Sequence, residues 1–432
     1  MAEIPRDHLF DSSLAIVADP YGFIGKRCDR VGADLFRTRL LLKDNICMRG
    51  RDAAEIFYDQ DRFYRKGAVV PRAEIVLAGR GGVQGLDHVP HHHRKAMFTS
   101  VVGPHTANDV ADRCLAEWRK RAKQWAGHDS VLFYNQTREV ICRAVSDWAG
   151  VPISEAELPR ITWILSLLYE FPVAIGWRHW RARWYRKVAD RWAAQIIEDT
   201  RAGKIKPPAG TALDVVAKHR ELEGNLLPAK TAGVELQNIL RPTVAVSVFV
   251  VYAAKMLHEH PECREPLAAG GNEYLEMFVQ EVRRHCPFFP AVAARVRQDF
   301  EWRGYKFPKD MRVLFGLHAT NHDPKIWNAP HEFWPERFRN WQYDPFTFVP
   351  QGGGDREQGH RCPGDRFSVE ITKAAVRFLT EDIAFDVPPQ DLSLEMTHMP
   401  ALPRSRFLMR NVRARSGVKA PAMRGQVATQ SV

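Results

Sequence analysis

The sequence predicts a mainly α-helical single domain with small β-sheets, and three observations support this fold class. Apolar residues recur with helical spacing through most of 91–290. Short alternating segments separated by turn residues, within 35–48 and 292–316, are typical of small sheets. No internal repeat, low-complexity block or mid-chain linker divides the 432 residues. We therefore expect one domain over 1–415, followed by a polar, disordered tail over 416–432.

The individual elements follow from local patterns. A β-hairpin is expected at 35–48 and a helix at 51–59, and the breakers in 203–210 predict a loop between helices. Pro-rich coil is expected over 323–351, and a helix after Gly364. The remaining predicted elements are helices at 104–126, 134–149, 182–202 and 230–259, strands at 292–297, 300–307 and 312–316, and a hairpin at about 393–413.

The composition is that of a folded protein with a basic surface. Hydrophobic residues make up 45% of the chain, and 12 Trp and 23 Phe suffice for a large core or an apolar pocket. The net charge of +11 favours anionic partners. Nucleic acid is disfavoured, because the chain has no stacking motif, zinc knuckle or sustained run of Lys and Arg. We interpret a cluster of scattered arginines as a solvated helical face: Arg178, Arg181, Arg183 and Arg186.

Cysteine usage and the N-terminal sequence indicate the compartment. Seven cysteines without close paired spacing favour a reducing environment over a disulfide framework. Residues 1–20 contain no apolar stretch preceded by positive charge, so neither a signal peptide nor an anchor is expected. The longest uncharged apolar run, between Arg241 and Lys255, is too short to span a bilayer. We expect a cytoplasmic protein without a transmembrane segment.

A glycine-rich loop around Cys362 carries the strongest chemical signal. Glycines at 352–354 and 359 lead to Cys362, and an apolar helix begins directly afterwards. A cysteine that binds a metal must be ionised, and both positive groups and the amides of a helix N-terminus favour the thiolate. His360 and Arg361 supply donors beside it. Taken alone, the loop is equally compatible with a buried, structural cysteine at a helix start.

Two further motifs favour the metal-binding alternative. Glu281 and Arg284 are three residues apart on one predicted helical face, and the segment Trp-Pro-Glu-Arg-Phe follows at 334–338. An isolated pair of this kind is usually a surface ion pair. The three signals in this order, with the cysteine loop last, are far more specific.

Together these motifs resemble those of the cytochrome P-450 family, over essentially the whole chain. The resemblance implies the P-450 fold as a single haem-thiolate domain, with haem b as cofactor and the Cys362 thiolate as the axial ligand of the iron. It also implies a structural network of Glu281, Arg284 and Arg337. The loop departs from the common family pattern, because the segment from Gln351 to the cysteine is longer, and this difference indicates a particular branch.

The long central helix differs from that of an ordinary monooxygenase of the family. Mid-helix, where such an enzyme has an acid–alcohol pair for proton delivery to dioxygen, this chain has Arg241 and Pro242. Proline inside a helix removes one hydrogen bond and bends the axis. A guanidinium in so apolar a run is costly to bury unless it meets an anion, and its fork matches a carboxylate. The alternatives are an arginine that reaches solvent past the bend or pairs with a protein carboxylate.

Five segments, ILRPTVA, GVQGLD, HHHRK, EVRRHCPFFPAV and QGGGDREQGHRCPGD, resemble the fatty-acid peroxygenase branch of the family. The resemblance implies hydroxylation of a long-chain fatty acid at the α or β carbon, with hydrogen peroxide as oxidant and no redox partner. Arg241, next to Pro242, is then expected to hold the substrate carboxylate, which acts as general acid–base. Gln84 is expected near the reacting carbon, where a glutamine favours hydroxylation over decarboxylation.

The same resemblance implies further site residues. Candidates for contacts with the haem propionates are Arg65, His91, Lys95 and Arg295, and Gly354 and Gly364 are expected in the loop that holds the cofactor. Candidates for the acyl channel are Ala78, Phe288, Phe289 and Val292. The competing functions are a reductase-dependent monooxygenase, a fatty-acid decarboxylase, and a haem-thiolate sensor or carrier without turnover.

Overall fold

The computed structural model describes residues 3–174, 176–269 and 271–415. The predicted tail at 416–432 lies outside the described residues. Helices dominate the described chain, as the sequence predicts. They are α1 Ser13–Ala18, α2 Phe23–Val31, α3 Arg51–Phe57, α4 Pro71–Leu77, α5 His88–Val101, α6 Pro104–Trp125, α7 Phe133–Ala149, α8 Leu158–Glu170, α9 Trp177–Arg201, α10 Ala212–Lys218, α11 Ala229–Val244, α12 Ser247–Glu259, α13 Arg264–Ala268, α14 Asn272–His285, α15 Leu317–Asn321 and α16 Asp365–Arg377.

The strands form three small sheets on the outside of this helical body. They are β1 Leu35–Leu40, β2 Lys43–Met48, β3 Phe63–Tyr64, β4 Val131–Leu132, β5 Ala291–Val296, β6 Phe300–Trp302, β7 Tyr305–Phe307, β8 Arg312–Gly316, β9 Ile383–Asp386 and β10 Leu408–Ala414. The largest sheet has the order β1-β2-β8-β5-β3, in which β2 and β8 are parallel and the other neighbours antiparallel. The others are β4-β10-β9 and the hairpin β6-β7.

The predicted hairpin at about 393–413 is wrong in its pairing. Strand β10 pairs with β9 and β4, which lie outside that range, and only an isolated bridge joins Leu394 to Pro403 within it. The alternating pattern of 393–413 identifies a strand but not its partner, because pairing with a segment distant in sequence leaves no local signal.

The predicted central helix at 230–259 is interrupted. It consists of α11 and α12, separated by a turn at Ala245 and Val246. The break follows Pro242, whose ring nitrogen carries no hydrogen for the bond to the preceding turn. Just beyond it, the amides of Val246 and Val248 bond three residues back, as in a tightened turn.

This interrupted helix lies in the centre of the molecule. Helix α11 packs against α7, α8, α9 and α10, and α12 packs against α7, α14 and α16. By length and composition the segment Ala229–Glu259 is apolar enough to cross a membrane, although its uncharged run alone is short. However, 94% of its most apolar window is buried inside the protein, as in a core helix. The residues of α11 therefore face other parts of the protein, and Arg241 is one of them.

Candidate active site

Cys362 lies in the loop that enters α16, and polar groups converge on it. Its amide donates to Gln351 O at 3.3 Å, and the Gly364 amide donates to its sulfur. Burial raises the pKa of the thiol and Asp365 adds to that effect, whereas the Gly364 amide and the charges of Lys95 and Arg283 oppose it. These opposing groups favour the thiolate, as a metal-binding cysteine requires.

Lys95 ties this loop to α5. Its Nζ donates to Gly359 O at 2.7 Å and to Arg361 O at 2.6 Å, and the side chain is buried. Burial lowers the pKa of Lys95 to about 8, while the nearby Cys362 acts in the opposite direction. Lys95 thus holds the backbone on both sides of His360 next to the sulfur.

The triple glycine of the loop packs against Tyr58. A Cβ at Gly353 would lie 2.5 Å from Pro345 O and 2.9 Å from Tyr58 Cε2, and one at Gly354 would lie 2.9 Å from Tyr58 Cβ. Gly354 also has a φ of +76°, which favours glycine. Gly354 therefore allows the loop to pack closely against Tyr58, whereas Gly364 contacts the Cys362 sulfur through its amide.

The predicted network of Glu281, Arg284 and Arg337 is confirmed. Arg284 donates to both carboxylate oxygens of Glu281 at 2.7 Å, and Arg337 Nε donates to Glu281 Oε1 at 3.1 Å. The Glu281 and Arg284 side chains are fully buried. The network joins α14 to the segment 334–338, next to the cysteine loop.

Two of the remaining candidates for the propionates lie beside the loop. The buried His91 ring stacks on His360, with centroids 4.0 Å apart, and His91 Nδ1 has no hydrogen-bond partner among the residues that the structure describes. Burial lowers the pKa of His91 to about 3, and the His360 and Lys95 charges act in the same direction. The Arg65 guanidinium lies over the Phe57 ring at 4.3 Å and donates to Ala293 O at 3.0 Å.

Asp87 connects these residues, and sequence reasoning did not single it out. Its carboxylate accepts from the Arg65 amide at 2.9 Å and the Lys66 amide at 3.2 Å, and it lies 3.7 Å from His360 Nε2. Although burial opposes the shift, the His360 ring and these amides lower the pKa of Asp87 to about 2.

Arg295 stands apart from this group. Its guanidinium donates to Gly67 O at 2.9 Å and Asp310 O at 2.8 Å, in contacts exposed to solvent. These two carbonyls hold the side chain between the segment that follows β3 and the turn that precedes β8. Its predicted contact with a propionate therefore has no support in the observed geometry.

Arg241 is buried, with 5% of its surface exposed. Its Nη2 donates to Asn238 Oδ1 at 3.1 Å, but its Nη1 lacks a partner within the described ranges. Asn238 Nδ2 in turn donates to Gln84 Oε1 at 3.2 Å. Burial lowers the pKa of Arg241 to about 9, and the charge of Arg186 acts in the same direction. The structure thus joins Arg241 to Gln84 through Asn238, which the sequence analysis missed although it lies one turn before Arg241.

The nearest acid on α11, Glu235, is already paired. Its Oε1 accepts from Arg94 Nη1 at 2.7 Å and its Oε2 from Asn238 Nδ2 at 2.9 Å. Arg94 also donates to Glu221 Oε1 at 2.9 Å. Burial raises the pKa of Glu235, and the bonds from Asn238 and Arg94 oppose that shift. Glu235 is therefore held in a structural ion pair, and the alternative of a protein carboxylate bound to Arg241 has no support.

A second buried arginine was predicted wrongly. Arg186 is 1% exposed, so it does not belong to a solvated face. Its Nη2 lies 2.8 Å from Asp190 Oδ1. A Cβ at Gly79 would lie 2.8 Å from Arg186 Cζ, and the φ of Gly79 is +83°. The signal was available in the spacing, because Arg186 lies on the stripe of Ala182, Ala189 and Ala193, which are all buried.

The candidate channel residues occupy two places. The Phe288 ring stacks on Phe249 of α12, with centroids 4.6 Å apart, and meets Phe289 edge-to-face at 4.8 Å. Val292, on β5, is partly buried with Phe289 against the core of the large sheet. Ala78 is buried at the end of α4, where its carbonyl lies close to Gly82 beside Asn238 and Gln84. The predicted channel residues thus lie at the end of α4, on β5 and in the turn before β5.

Comparison with known proteins identifies the fold and its family. A model of the cytochrome P-450 family matches residues 272–403. A solved variant of cytochrome P-450SP alpha (CYP152B1) is 44% identical, with 94% of this chain and 100% of that chain covered, at a TM-score of 0.92. The chain is a cytochrome P-450. Cytochrome P-450EX alpha (CYP152N1), solved with myristic acid, is 38% identical over 95% of this chain and 99% of that one, at a TM-score of 0.92.

A third solved P-450 structure is also similar to this chain. A variant of cytochrome P-450 OleT in complex with arachidonic acid is 29% identical over 97% of this chain and 100% of that one, at a TM-score of 0.93. The predicted fold and the assignment to the fatty-acid peroxygenase branch are confirmed. The chain is thus a P-450 oxidoreductase, and members of this family bind haem through a cysteine thiolate.

The residues of this P-450 fit such a cofactor. The Gly364 amide points at the Cys362 sulfur, as an iron-bound thiolate requires, and two cations lie near it. On the α5 side, His91 Nδ1 is a buried ring nitrogen without a partner in the described part of the chain, and such an atom suits an anionic group of a bound cofactor.

Proposed function

We propose that this P-450 uses hydrogen peroxide to hydroxylate long-chain fatty acids at the α or β carbon. The observation that carries the proposal is the buried guanidinium of Arg241, whose Nη1 has no partner among the described residues. Leaving a buried charged donor unpaired is costly, so such a group persists where a ligand completes it. A carboxylate is the ligand that matches a guanidinium in charge and shape.

In this proposal the Cys362 thiolate would bind the haem iron, and His91 and Lys95 of α5, together with Arg65, would hold the cofactor. Thiolate-bound haem would supply the capacity to oxidise a C–H bond when peroxide provides the oxygen. Gly364 supports the sulfur, and Gly354 maintains the loop around it. Arg295 is kept apart from this set, because its contacts with Gly67 O and Asp310 O are exposed to solvent.

Arg241 orients the substrate. Its free Nη1 binds the fatty-acid carboxylate, while Nη2 remains bonded to Asn238. The anchored acid end determines which carbons of the chain can react, an effect of orientation rather than of charge alone. Pro242 lies inside the last turn of α11, just before the break, and so influences where this anchor stands relative to α12.

The bound carboxylate also transfers the proton that peroxide activation needs. Glu235 is held by Arg94 and Asn238, and the hydroxyl of Thr243 donates to Ile239 O at 2.8 Å. Because these α11 groups are occupied, the substrate's own oxygen is the acceptor and donor of that proton, as general acid–base. Because the oxygen of hydrogen peroxide is already two-electron reduced, no reductase is required, and the proton transfer by the bound acid couples turnover to the presence of a carboxylic acid.

The acyl chain and the reacting carbon are positioned by neighbouring side chains. Phe288, Phe289 and Val292, together with Ala78, supply apolar contacts for the chain. Asn238 donates a hydrogen bond to Gln84, and this bond positions the Gln84 amide next to the substrate carboxylate. A neutral amide cannot donate or accept a proton at neutral pH, which favours the hydroxy acid over a decarboxylated product.

The test is turnover of myristic acid by purified, haem-loaded protein with hydrogen peroxide and no redox partner, with products identified by mass spectrometry. We expect 2-hydroxy or 3-hydroxy acid from the wild type. We expect at least a hundredfold loss in Arg241→Ala and an intermediate rate in Arg241→Lys, which keeps the charge but not the fork. Turnover only with NAD(P)H and a reductase, or undiminished turnover in Arg241→Ala, contradicts the proposal, and a terminal alkene as main product contradicts its hydroxylase part.

A further inference from the structure

Three tryptophans form an exposed face on the first half of α9. Trp177, Trp180 and Trp184 are 64%, 66% and 62% exposed. Their spacing of three and four residues puts them on one side of the helix, opposite the buried stripe that contains Arg186. Tryptophan is large and mostly apolar, and contiguous exposed apolar surface marks an interaction site. We call this surface, together with the partly exposed Trp163 of α8, the tryptophan face.

Positive charge surrounds the tryptophan face. The Arg181 guanidinium lies 4.8 Å from the Trp177 ring and 5.9 Å from the Trp163 ring, and Arg183 lies 5.8 Å from the Trp180 ring. Apart from the buried Arg186, residues 171–189 contain three Arg and one Lys and no Asp or Glu. The aromatic rings and the cations are therefore interleaved on one surface without acidic residues from this segment.

We propose that the tryptophan face binds the surface of an anionic lipid bilayer. Indole rings prefer the boundary between head groups and acyl chains, because one part of the ring is apolar and its N–H is polar. Arginine and lysine near such a surface are attracted to anionic head groups. A helix with this composition lies in the plane of the interface and does not cross the bilayer.

The position of the tryptophan face in the fold connects membrane binding to the delivery of substrate. Helix α9 packs along α11, so one helix carries the tryptophan face outside and contacts the helix of Arg241 inside. Long-chain fatty acids partition into bilayers because of their apolar chains. This step rests on the proposed function: with a fatty acid as substrate, a protein docked through α9 takes that substrate from the lipid surface rather than from solution.

The test is co-sedimentation of the haem-loaded protein with vesicles of phosphatidylglycerol or of phosphatidylcholine, without fatty acid. We expect the wild type to bind phosphatidylglycerol vesicles and to be released by high salt, since charge contributes. The triple variant Trp177→Gln, Trp180→Gln, Trp184→Gln should lose binding by roughly tenfold or more. Its haem absorbance and thermal unfolding should match the wild type, because the three side chains are exposed.

A matched control removes apolar side chains elsewhere. Leu41 and Leu42 are 67% and 72% exposed on the turn between β1 and β2, and the pair Leu41→Ser, Leu42→Ser should leave vesicle binding unchanged. Absence of wild-type binding, or equal binding by the triple variant, overturns the proposal. So does a lipid-free dimer that the triple variant converts to monomer, because the face would then bind a second copy of the chain. Each outcome is independent of turnover, so the peroxygenase proposal is unaffected.

Discussion

Two buried arginines of this protein differ in how they are satisfied. Arg284, on α14, donates twice to Glu281 and also to the carbonyls of Asn321, Pro330 and Glu332. These contacts occupy all of the N–H donors that a guanidinium has. Arg241, on α11, makes one hydrogen bond to Asn238, and its Nη1 finds no acceptor in the described part of the chain. Both side chains are almost completely buried.

The difference separates a structural cation from a ligand-binding one. A buried charge that is fully paired holds the fold together and is costly to disturb. A buried charge left partly unpaired costs stability in the absence of a ligand, and binding recovers that cost. We therefore expect opposite effects on the free energy of unfolding when Arg284 and when Arg241 is replaced.

The largest expected effect follows from removing the structural cation. Arg284→Met leaves the Glu281 carboxylate in the interior with Arg337 as its one charged partner and the Trp334 amide as a further donor. We expect the free energy of unfolding to fall by about 3–5 kcal/mol, measured by urea denaturation, with loss of haem retention. An Arg284→Met protein as stable as the wild type would remove the distinction between the two arginines.

The second prediction concerns stability at the other arginine. Arg241→Met removes a buried charge that has one partner and replaces it with a shorter, flexible apolar side chain. We expect the free energy of unfolding without fatty acid to stay the same or to rise by about 1 kcal/mol. The same urea titration measures this. A fall comparable to that of Arg284→Met would mean that Arg241 is structural.

The smallest expected effect concerns the link between Arg241 and Gln84. Asn238→Ala removes the acceptor of Arg241 Nη2 and the donor to both Gln84 and Glu235. We expect the affinity for myristic acid, measured by calorimetry, to fall about threefold to tenfold, the worth of one hydrogen bond. Thr243→Val is the matched control on the same helix, since the Thr243 hydroxyl bonds only to the backbone of Ile239 among the described residues. Equal affinity in wild type and Asn238→Ala would exclude this positioning role.

Part of the site was predictable because its signals are contiguous in sequence. The glycine-rich loop before Cys362, the Glu281 and Arg284 pair and the Arg241-Pro242 step each stand within a few residues. Asp87, Asn238 and the pair of Arg94 with Glu235 were missed, since each acts through a partner from another element. The contact of Arg295 with a propionate stays a prediction, because a motif position does not reveal which carbonyls the side chain meets.

The sequence by itself determined the helical class, the cysteine loop and the replacement of an acid–alcohol pair by arginine and proline, because these depend on local spacing and residue chemistry. Only the tertiary structure decided which of the many arginines are buried. Arg183 and Arg186 lie less than one turn apart on α9, yet the first borders the tryptophan face and the second packs against Gly79. Burial depends on which side of a helix meets its neighbours, and that is a property of packing between segments distant in the chain.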